Sequence, residues 1–342
     1  MKPLLLVSTV TRHHSAHSGY QALSRYLPEA RTLSMPRAEA AGRLGRIGAR
    51  VAQRYAFSRW YLGACAVLEA KAWRELQGGF SGIVHLMWAD HDLGFLDLLL
   101  DSRRHRLVGT FHNCSDTFAK TIRFPRRLRR FDAIILMSRT QEQFFLDAGV
   151  DPKRIHVVLH GVATEYFQPA TGPAEPTFTV LAAGGYRRNF QLLHEVCARL
   201  DGEAGLLFEI IGPEEWRGYF EVLPNARFRS GLTDAEFLEA YHGCSCLLHV
   251  VENATANNVI LEAMACGKPV VAERIGGIPE YVDASCAILT APGDAEALCA
   301  ALLDLRDSPE KRGILAAGAR TKAETLNWQK VATQMRSMYD NL

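Results

Sequence analysis

The chain has 342 residues, of which 48% are hydrophobic and 22% charged. This length is enough for two globular domains that each bury a core, and the composition excludes a disordered chain. No run of about 18 uncharged apolar residues is present, so we expect no membrane-spanning helix. The short apolar run at the N-terminus is followed closely by Arg12, His13 and His14, and it is typical of a buried first strand and not of a signal peptide.

The net charge of +2 conceals two halves of opposite sign. Residues 1–170 carry 24 Lys+Arg and 14 Asp+Glu, a net charge of +10, whereas residues 171–342 carry 15 and 23, a net charge of −8. This asymmetry predicts that the two halves meet different partners. The eight cysteines are scattered without a paired CxxC pattern. They favour buried reduced thiols in a cytoplasmic protein over a zinc site.

Apolar segments alternate with helical patterns along the first 160 residues. This alternation predicts an open parallel α/β sheet, in which strands that are covered on both faces are apolar throughout. Helical patterns near 19–27 and 139–148 separate some of the apolar segments. The predicted strands lie near Leu4–Ser8, Ile83–Trp88, Leu107–Phe111, Ala133–Met137 and Ile155–Leu159.

Three prolines within residues 168–176 interrupt this pattern, because proline fits neither a helix interior nor a central strand. We interpret the stretch as a linker between a first domain at 1–168 and a second domain at 177–342. The pattern then restarts, which predicts a second α/β domain. Its predicted strands are Phe178–Ala183, Leu206–Ile211, Ser245–Val250 and Pro269–Ala272, with helices at 189–200, 233–242 and 257–266 and helical segments at 295–305 and 309–342.

The most informative segment lies at residues 247–272. An apolar strand ends in a polar loop, a helix begins near Asn257, Gly267 ends that helix, and a buried strand follows. Thr255 or Asn257 is a suitable N-cap, and the start of the helix offers free backbone N–H groups to an anion. Glu262 follows within two turns, where it can accept hydrogen bonds from two hydroxyl groups. The alternative is an ordinary strand–helix–strand unit with a surface glutamate.

Residues 261–267 and 269–272, which read LEAMACG and PVVA, resemble the donor-site motif of glycosyltransferase family four. The resemblance implies the GT-B fold, in which two Rossmann-like domains face each other across a cleft and the last helix returns to the first domain. It also implies a nucleotide sugar on this helix, with Glu262 at the ribose hydroxyls. The backbone at Asn258 and Val259 would bind the distal phosphate.

One position departs from the family pattern. The family usually carries a second glutamate eight positions before the first, and here that position is Ala254. Either Glu252 takes its place, or Asn257 and Asn258 hold the sugar. The identity of the sugar stays open on the sequence alone.

Two further segments carry the same resemblance. The loop after the first strand of the second domain contains Gly185, Arg187 and Arg188. Glycine lets the backbone approach a ligand, and arginine forms charge-assisted bonds to a diphosphate. The resemblance implies that one of these arginines meets the leaving diphosphate, although the lysine usual in the family is absent and a solvated loop is the alternative. His160, in the sequence HGV before the linker, is a further implied donor-site residue.

In the first domain, Ser18 and Gly19 follow the first strand, where the resemblance places a loop near the donor phosphates. His112 ends another strand and is implied to contact the transferred sugar. The histidines at 13, 14 and 17 have no carboxylate nearby in sequence, so we do not expect them to bind a metal. The D-x-D sequence at 90–92 is typical of a different, metal-dependent glycosyltransferase fold with one Rossmann-like domain. Because this chain shows two such domains, we do not assign a metal to this sequence. We expect no metal and no cofactor besides the nucleotide diphosphate sugar.

Two basic segments occur in the first domain. They are interpreted either as solvated helix faces or as surfaces that attract anionic lipid or a phosphorylated acceptor. Nucleic acid is not an expected partner, because no aromatic stacking platform accompanies the arginines. The first segment contains Arg43, Arg46, Arg50 and Arg54, and the second contains Lys120, Arg123, Arg126, Arg127, Arg129 and Arg130.

The resemblance to family four implies a retaining, hexosyltransferase-like enzyme that transfers a sugar to a glycan, lipid or small-molecule acceptor. The expected setting is the synthesis of cell-envelope glycan, glycolipid or polysaccharide, in the cytoplasm or on the inner face of the plasma membrane. His112, Arg187 and Arg188 are the predicted catalytic residues, and no covalent nucleophile stands out. Two alternatives remain: a sugar-nucleotide epimerase of the same fold, and a nucleotide-sugar-binding protein without turnover.

Overall fold

A computed structural model describes residues 2–10, 17–36, 52–172 and 177–342. The chain divides into two compact units. The first contains Met1–Gly161 and Trp328–Leu342, and the second contains Val162–Asn327. Each unit is built on one six-stranded sheet, and every strand pairing is parallel. The predicted class of two α/β domains is therefore confirmed.

The first sheet has the strand order β2-β1-β3-β4-β5-β6. The five strands predicted for this half are present, whereas β2 was not predicted, because it is a mostly exposed edge strand without an apolar run. The strands are β1 (Leu4–Val10), β2 (Arg31–Pro36), β3 (Gly82–Leu86), β4 (His105–Phe111), β5 (Ala133–Leu136) and β6 (Ile155–Val157).

Helices cover this sheet with apolar side chains at helical spacing. In α1, for example, Ala64, Leu68, Ala72 and Leu76 recur every four residues and join the core formed by β1, β3, β4 and β5. The α-helices are α1 (Gly63–Gln77), α2 (Ala89–Asp92), α3 (Leu96–Leu99), α4 (Ser115–Thr121) and α5 (Glu142–Asp147), and 3-10 helices occupy Tyr20–Tyr26, Pro125–Arg130, Arg139–Gln141 and Pro152–Arg154.

The second sheet has the strand order β12-β11-β10-β7-β8-β9. The four predicted strands are present, and the two outermost strands, β9 and β12, were not predicted. The strands are β7 (Phe178–Ala183), β8 (Leu206–Ile211), β9 (Ala226–Arg229), β10 (Cys246–His249), β11 (Val270–Glu273) and β12 (Ala287–Thr290). The helices are α6 (Phe190–Arg199), α7 (Arg217–Phe220), α8 (Asp234–Gly243), α9 (Asn258–Ala265), α10 (Ile278–Tyr281), α11 (Ala295–Asp307) and α12 (Pro309–Thr325), with a 3-10 helix at Glu214–Trp216.

Each sheet has one point at which the order of the strands reverses. In the first sheet this point lies between β1 and β3, and in the second it lies between β7 and β10. At such a point the loops leave the two carboxyl ends in opposite directions, which opens a crevice that commonly binds ligands. The loops that carry most of the predicted site residues follow these strands.

The C-terminal helix α13 (Trp328–Asp340) belongs to the first unit. Arg336 donates hydrogen bonds to Glu29 Oε1 and to the carbonyl oxygen of Tyr26, both at 2.7 Å. The hydroxyl of Tyr339 lies 2.7 Å from His85 Nδ1. The chain therefore returns to the sheet with which it began.

The two units divide at Gly161 and Val162, and not at the proline-rich stretch that the sequence favours. The segment before the prolines is bound by the second unit. Arg320 Nη1 donates to the carbonyl oxygens of Phe167 (2.8 Å) and Ala265 (2.7 Å), and Val162 N donates to Leu326 O at 3.0 Å. These bonds satisfy backbone groups that a free linker would leave to solvent.

All eight cysteines are buried thiols, and no disulfide bond joins them. Burial raises the pKa of the Cys244 and Cys266 thiols to about 12, which keeps them protonated and unreactive at neutral pH. The prediction of buried thiols is thus confirmed. In the part of the chain that the structure describes, no helix is both long and apolar enough to cross a bilayer.

Candidate functional site

The loop after β7 holds Arg188 at the carboxyl edge of the second sheet. Gly184 has φ +103° and Arg187 has φ +54°, and these two turns bring Arg188 alongside Val251 in an antiparallel bridge. Arg188 Nε donates to Ala183 O at 2.7 Å, and Nη2 lies 3.4 Å from Asn257 Oδ1. The guanidinium is therefore fixed between the ends of β7 and β10.

Arg188 has no acidic partner among the described residues: both of its hydrogen bonds go to neutral oxygen atoms. The side chain is half-buried. Burial lowers its pKa to about 10, so it keeps its charge at neutral pH. A partly desolvated cation without a balancing anion is costly, and a bound anion removes that cost.

Helix α9 begins beside this guanidinium. Asn257 is the N-cap, because its Oδ1 accepts a hydrogen bond from Val259 N at 3.1 Å. Of the two N-cap candidates, Asn257 therefore has this role, and Thr255 is buried in the preceding loop. The first backbone N–H groups of α9, from Asn258 onward, and the guanidinium of Arg188 lie at the same edge of the sheet. Their positive charges add, which favours a diphosphate there.

Glu262 lies in α9 and is only 7% exposed. Its Oε2 accepts a hydrogen bond from the hydroxyl of Tyr241, in α8, at 2.8 Å. The Tyr241 hydroxyl uses one acceptor position of this carboxylate, and the expected bonds from two ribose hydroxyls stay a prediction for the remaining positions. The sequence did not predict this role for Tyr241, because a tyrosine on the buried face of a helix looks like an ordinary core residue.

The loop between β10 and α9 carries the departure from the family pattern. Ala254 is buried, and its carbonyl oxygen accepts a hydrogen bond from Gly277 N at 2.8 Å. Glu252 is exposed, and its backbone N–H donates to Arg187 O at 2.9 Å. The Glu252 carboxylate therefore stands at the surface of this loop, and the position of the usual second glutamate is packed against the turn at 276–277.

In the first unit, Tyr20 brings predicted site residues together. Gly19, with φ +87°, begins the 3-10 helix that carries Tyr20, and Ser18 directly precedes it. The Tyr20 ring is fully buried, with centroid distances of 4.7 Å to the His112 ring and 5.6 Å to the His160 ring. Ser18, Gly19, His112 and His160 thus lie near one another at the carboxyl edge of the first sheet.

The orientation of His112 follows from its hydrogen bond to Met87. Nε2 lies 2.8 Å from Met87 O, and since a carbonyl oxygen only accepts, Nε2 carries the hydrogen. In the neutral ring, Nδ1 is then an acceptor, which suits contact with a hydroxyl group. The ring stacks on Trp88 at a centroid distance of 3.7 Å, which holds it in this orientation.

His160 is buried, and its Nδ1 lies 2.7 Å from Gly161 O. Its ring packs on Trp328 at a centroid distance of 4.9 Å. In this arrangement His160 holds the end of the first unit against the returning helix α13.

Both carboxylates of the D-x-D sequence accept hydrogen bonds from other residues of the first unit. Asp90 Oδ2 accepts hydrogen bonds from the backbone N–H groups of His112 and Asn113, both at 3.1 Å. Asp92 accepts from the N–H and the hydroxyl of Thr9, both at 2.7 Å. These bonds tie neighbouring strand ends together. His13 and His14 lie outside the described residues.

Some arginines of the basic segments form hydrogen bonds within the first unit. Arg127 Nε donates to the buried carboxylate of Asp97 at 3.0 Å, and Arg130 Nε donates to Asp97 O at 3.0 Å. Arg126 is exposed. Of the first basic segment, Arg43, Arg46 and Arg50 lie outside the described residues, and Arg54 is exposed.

The position of Arg188 depends on the absence of a side chain at Gly184. A Cβ atom there would lie 2.5 Å from Arg188 Nη2, and its φ of +103° disfavours any other residue. We therefore expect Gly184→Ala to displace the guanidinium and to destabilise the protein by about 1–3 kcal/mol. Affinity for nucleoside diphosphates, measured by calorimetry, should fall together with the melting temperature. Gly202→Ala is the control, since it has φ +84° but no atom within 4 Å of the added Cβ. Equal nucleotide affinity in the two variants would contradict this role of Gly184.

Two family profiles match the chain: "Glycosyltransferase Family 4" over residues 13–166 and "Glycosyl transferases group 1" over residues 177–308. Together they cover both units and include the loops at both strand-order reversals. The chain belongs to glycosyltransferase family four.

Named relatives of this glycosyltransferase family include an MMP α-(1→4)-mannosyltransferase of Mycolicibacterium hassiacum. It is 33% identical to this chain over 61% of the chain and 54% of the relative. The sulfoquinovosyl transferase SQD2 of Arabidopsis thaliana is 32% identical over 48% of the chain and 33% of that protein. The chain spans about half the length, or less, of these curated relatives.

Solved structures of similar fold cover the whole chain. The Anabaena protein Alr3699/HepE, solved in complex with UDP, has a TM-score of 0.71 at 15% identity and is matched over 100% of both chains. A glycosyltransferase of Rickettsia africae has a TM-score of 0.71 at 13% identity, covering 100% of this chain and 99% of that one. At these identities the likeness concerns the fold, which is GT-B with two Rossmann-like domains.

Proposed function

We propose that this family-four chain is a glycosyltransferase that moves a sugar from a nucleotide diphosphate sugar to an acceptor hydroxyl, with retention of configuration. The observation that carries the proposal is Arg188, a half-buried cation without an acidic partner among the described residues, beside the N-terminus of α9. The Anabaena protein of similar fold was solved with UDP and with UDP-glucose, which supports a nucleotide-sugar ligand for this chain.

The proposed division of roles follows the geometry of the second unit. Glu262, held by Tyr241, accepts a hydrogen bond from a ribose hydroxyl, and the backbone at Asn258 and Val259 lies along the distal phosphate. The N–H of Asn258 donates to that phosphate, since the N–H of Val259 already donates to Asn257 Oδ1. As the bond between the sugar and the diphosphate breaks, negative charge grows on the leaving diphosphate. Arg188 and the α9 N-terminus stabilise that charge from fixed positions, which lowers the barrier without reorganisation. Arg187 is a further candidate for the same diphosphate.

In the first unit, His112 is proposed to accept a hydrogen bond from a hydroxyl of the transferred sugar through Nδ1. The loop of Ser18 and Gly19 and the buried His160 lie at the same edge of the sheet.

The acceptor is proposed to be a glycan, a lipid or a small molecule of the cell envelope. The Thr255, Asn257 and Gly185 positions complete the proposed site for the nucleotide sugar.

The test of this function is a binding and turnover experiment on the full chain. A thermal-shift screen over nucleoside diphosphates and their sugars identifies the nucleotide, because a ligand at 100 times its Kd adds about 2.7 kcal/mol of stability. Candidate acceptors are then added. Release of nucleoside diphosphate that depends on the acceptor supports transfer. Interconversion of the sugar without an acceptor would indicate the epimerase alternative, and binding without any product would indicate a protein that only binds.

We also propose that neither nucleotide binding nor sugar transfer needs a metal ion, because arginine and helix N–H groups neutralise the diphosphate. Asp90 Oδ2 and both carboxylate oxygens of Asp92 already accept hydrogen bonds within the protein. EDTA should leave nucleotide affinity and turnover unchanged within about twofold, as followed by calorimetry and by nucleotide release. Loss of both on chelation, with recovery on addition of Mn²⁺ or Mg²⁺, would contradict this and return attention to the D-x-D sequence.

The first unit is proposed to meet an anionic membrane surface. Leu98 and Leu99 are 50% and 51% exposed on α3, next to Asp97, which binds Arg127 and Arg130. Exposed apolar side chains beside basic ones are typical of an interfacial surface. This proposal places the protein in the cytoplasm, at the inner face of the membrane.

Vesicle sedimentation tests the membrane proposal. The protein should bind vesicles that contain an anionic lipid but not neutral ones, and release as salt rises. Arg126→Glu should weaken binding by about tenfold or more, since each basic residue near the surface contributes about 1 kcal/mol. Arg199→Glu, on the second unit, is the control. Equal binding to both kinds of vesicle, or to neither, would contradict the proposal.

A further inference from the structure

His249 is a buried histidine whose ring has no hydrogen-bond partner among the described residues. It is the last residue of β10 and is 1% exposed. Neither Nδ1 nor Nε2 is within hydrogen-bonding distance of a partner. Buried polar atoms without a partner are rare in native proteins, because each loses its hydration without compensation. The position therefore calls for a physical explanation.

The position of the ring on the strand decides which way it faces. Leu248 and Val250 belong to the core cluster that contains α6 and α11, and side chains alternate along a strand, so His249 faces away from that core. Burial and, to a smaller extent, the charge of Arg188 lower the pKa of His249 well below its ordinary value. At neutral pH the ring is thus neutral, with one N–H group and one acceptor nitrogen.

The strand that carries the ring ends at the proposed anion site. β10 is one of the two strands at the order reversal of the second sheet, and the next residues lead into the loop that ends at the N-cap of α9. Asn189 N donates to Val250 O at 3.2 Å, so the Arg188 loop is fastened directly to the strand end that carries His249. If the neutral ring served packing alone, leucine would fill the same position without burying two unpartnered nitrogen atoms.

We infer that His249 is a further ligand-binding residue of the nucleotide-sugar site, and that its ring N–H donates a hydrogen bond to a diphosphate oxygen held by Arg188. The inference rests on the proposed function. It explains why a histidine stands at a buried strand position where an aliphatic residue would fold at lower cost. The unliganded protein carries the unsatisfied ring, and the diphosphate supplies the missing partner.

The test compares His249→Leu with the wild type in the absence and presence of ligand. In the absence of ligand, the variant should have a melting temperature equal to or higher than that of the wild type, because two unpartnered nitrogens are removed. Its affinity for the nucleoside diphosphate found in the screen should fall about tenfold, and its affinity for the nucleoside alone should stay unchanged. His194→Leu, on α6 of the same unit, is the control and should leave both affinities unchanged.

A second measurement on the wild type covers the case in which His249→Leu does not fold. In a protein with ¹⁵N-labelled histidine, the ring nitrogens of His249, assigned through bonds from the backbone, should shift on addition of the nucleoside diphosphate but not of the nucleoside. Unchanged signals, or full diphosphate affinity in His249→Leu, would overturn the inference while leaving the proposed function intact. A wild-type protein that binds no nucleoside diphosphate would overturn both.

Discussion

Arg188→Ala should lower turnover by about 10²- to 10³-fold while lowering nucleoside diphosphate affinity by only about tenfold. A fixed positive group at a leaving anion stabilises the transition state more than the ground state, because the charge grows as the bond breaks. The substitution should not unfold the protein. It removes a half-buried cation whose only hydrogen bonds go to Ala183 O and Asn257 Oδ1, so no carboxylate is left without its partner.

Steady-state kinetics with the identified nucleotide sugar measures this effect, and calorimetry with the bare diphosphate measures the ground-state part. Arg188→Lys keeps the charge but loses the planar group that reaches both Ala183 and Asn257. Its turnover should therefore lie between that of the wild type and that of Arg188→Ala. Arg199→Ala is the matched control, because Arg199 is an exposed residue of the same unit paired with Glu195. A folded Arg188→Ala variant with turnover within threefold of the wild type would remove the central support of the proposed function.

Glu262→Ala should weaken nucleoside diphosphate binding by roughly 30- to 1000-fold. A charge-assisted hydrogen bond contributes about 1.5–3 kcal/mol, and the loss of one or two such bonds to ribose corresponds to about 2–4 kcal/mol. The structure adds a second expected effect. The hydroxyl of buried Tyr241 loses its acceptor, which should cost about 1–3 kcal/mol of folding stability.

Glu262→Gln separates the two effects, because the amide oxygen can still accept from Tyr241 while the charge is lost. We expect Glu262→Gln to melt close to the wild-type temperature and still to bind the diphosphate at least tenfold more weakly. Glu195→Ala, which alters an exposed glutamate of α6, should change neither quantity. Wild-type affinity in Glu262→Gln together with weak binding in Glu262→Ala would mean that Glu262 acts on the fold and not on the ligand.

Of the twelve strands in the described part of the chain, sequence patterns located nine, and the three that they missed, β2, β9 and β12, all lie at sheet edges. β2 and β9 lack the apolar run that marks a buried strand, and β12 is a short edge strand of four residues. The central strands are covered on both faces, and their sequences are apolar for that reason. Pattern analysis therefore detects the interior of a parallel sheet better than its margins.

The boundary of the first unit is a second feature that sequence patterns did not locate. The prolines at 169, 173 and 176 led us to predict the domain boundary there, but the first unit ends at Gly161, before them. Residues 173–176 lie outside the described part of the chain. Where a unit ends depends on which atoms bind the segment, and here Arg320, distant in sequence, holds the carbonyl oxygens of Thr164 and Phe167. Local composition carries no information about such a bond.

The sequence by itself determined the two parallel sheets, the loops after β7 and β10, and the helix start at Asn257, because strand periodicity, glycine turns and capping are local properties of the chain. Only the tertiary structure decided that, among the residues it describes, Arg188 has no acidic partner and buried His249 has no hydrogen-bond partner. It also decided that Tyr241 holds Glu262 and that Tyr20 lies between His112 and His160. These are contacts between residues far apart in the chain, and they form only when strands that follow one another in sequence take their places in the sheet. The chemistry of the candidate site depends on which charges and hydrogen-bonding groups the fold leaves unpaired, and that balance exists only in the folded chain.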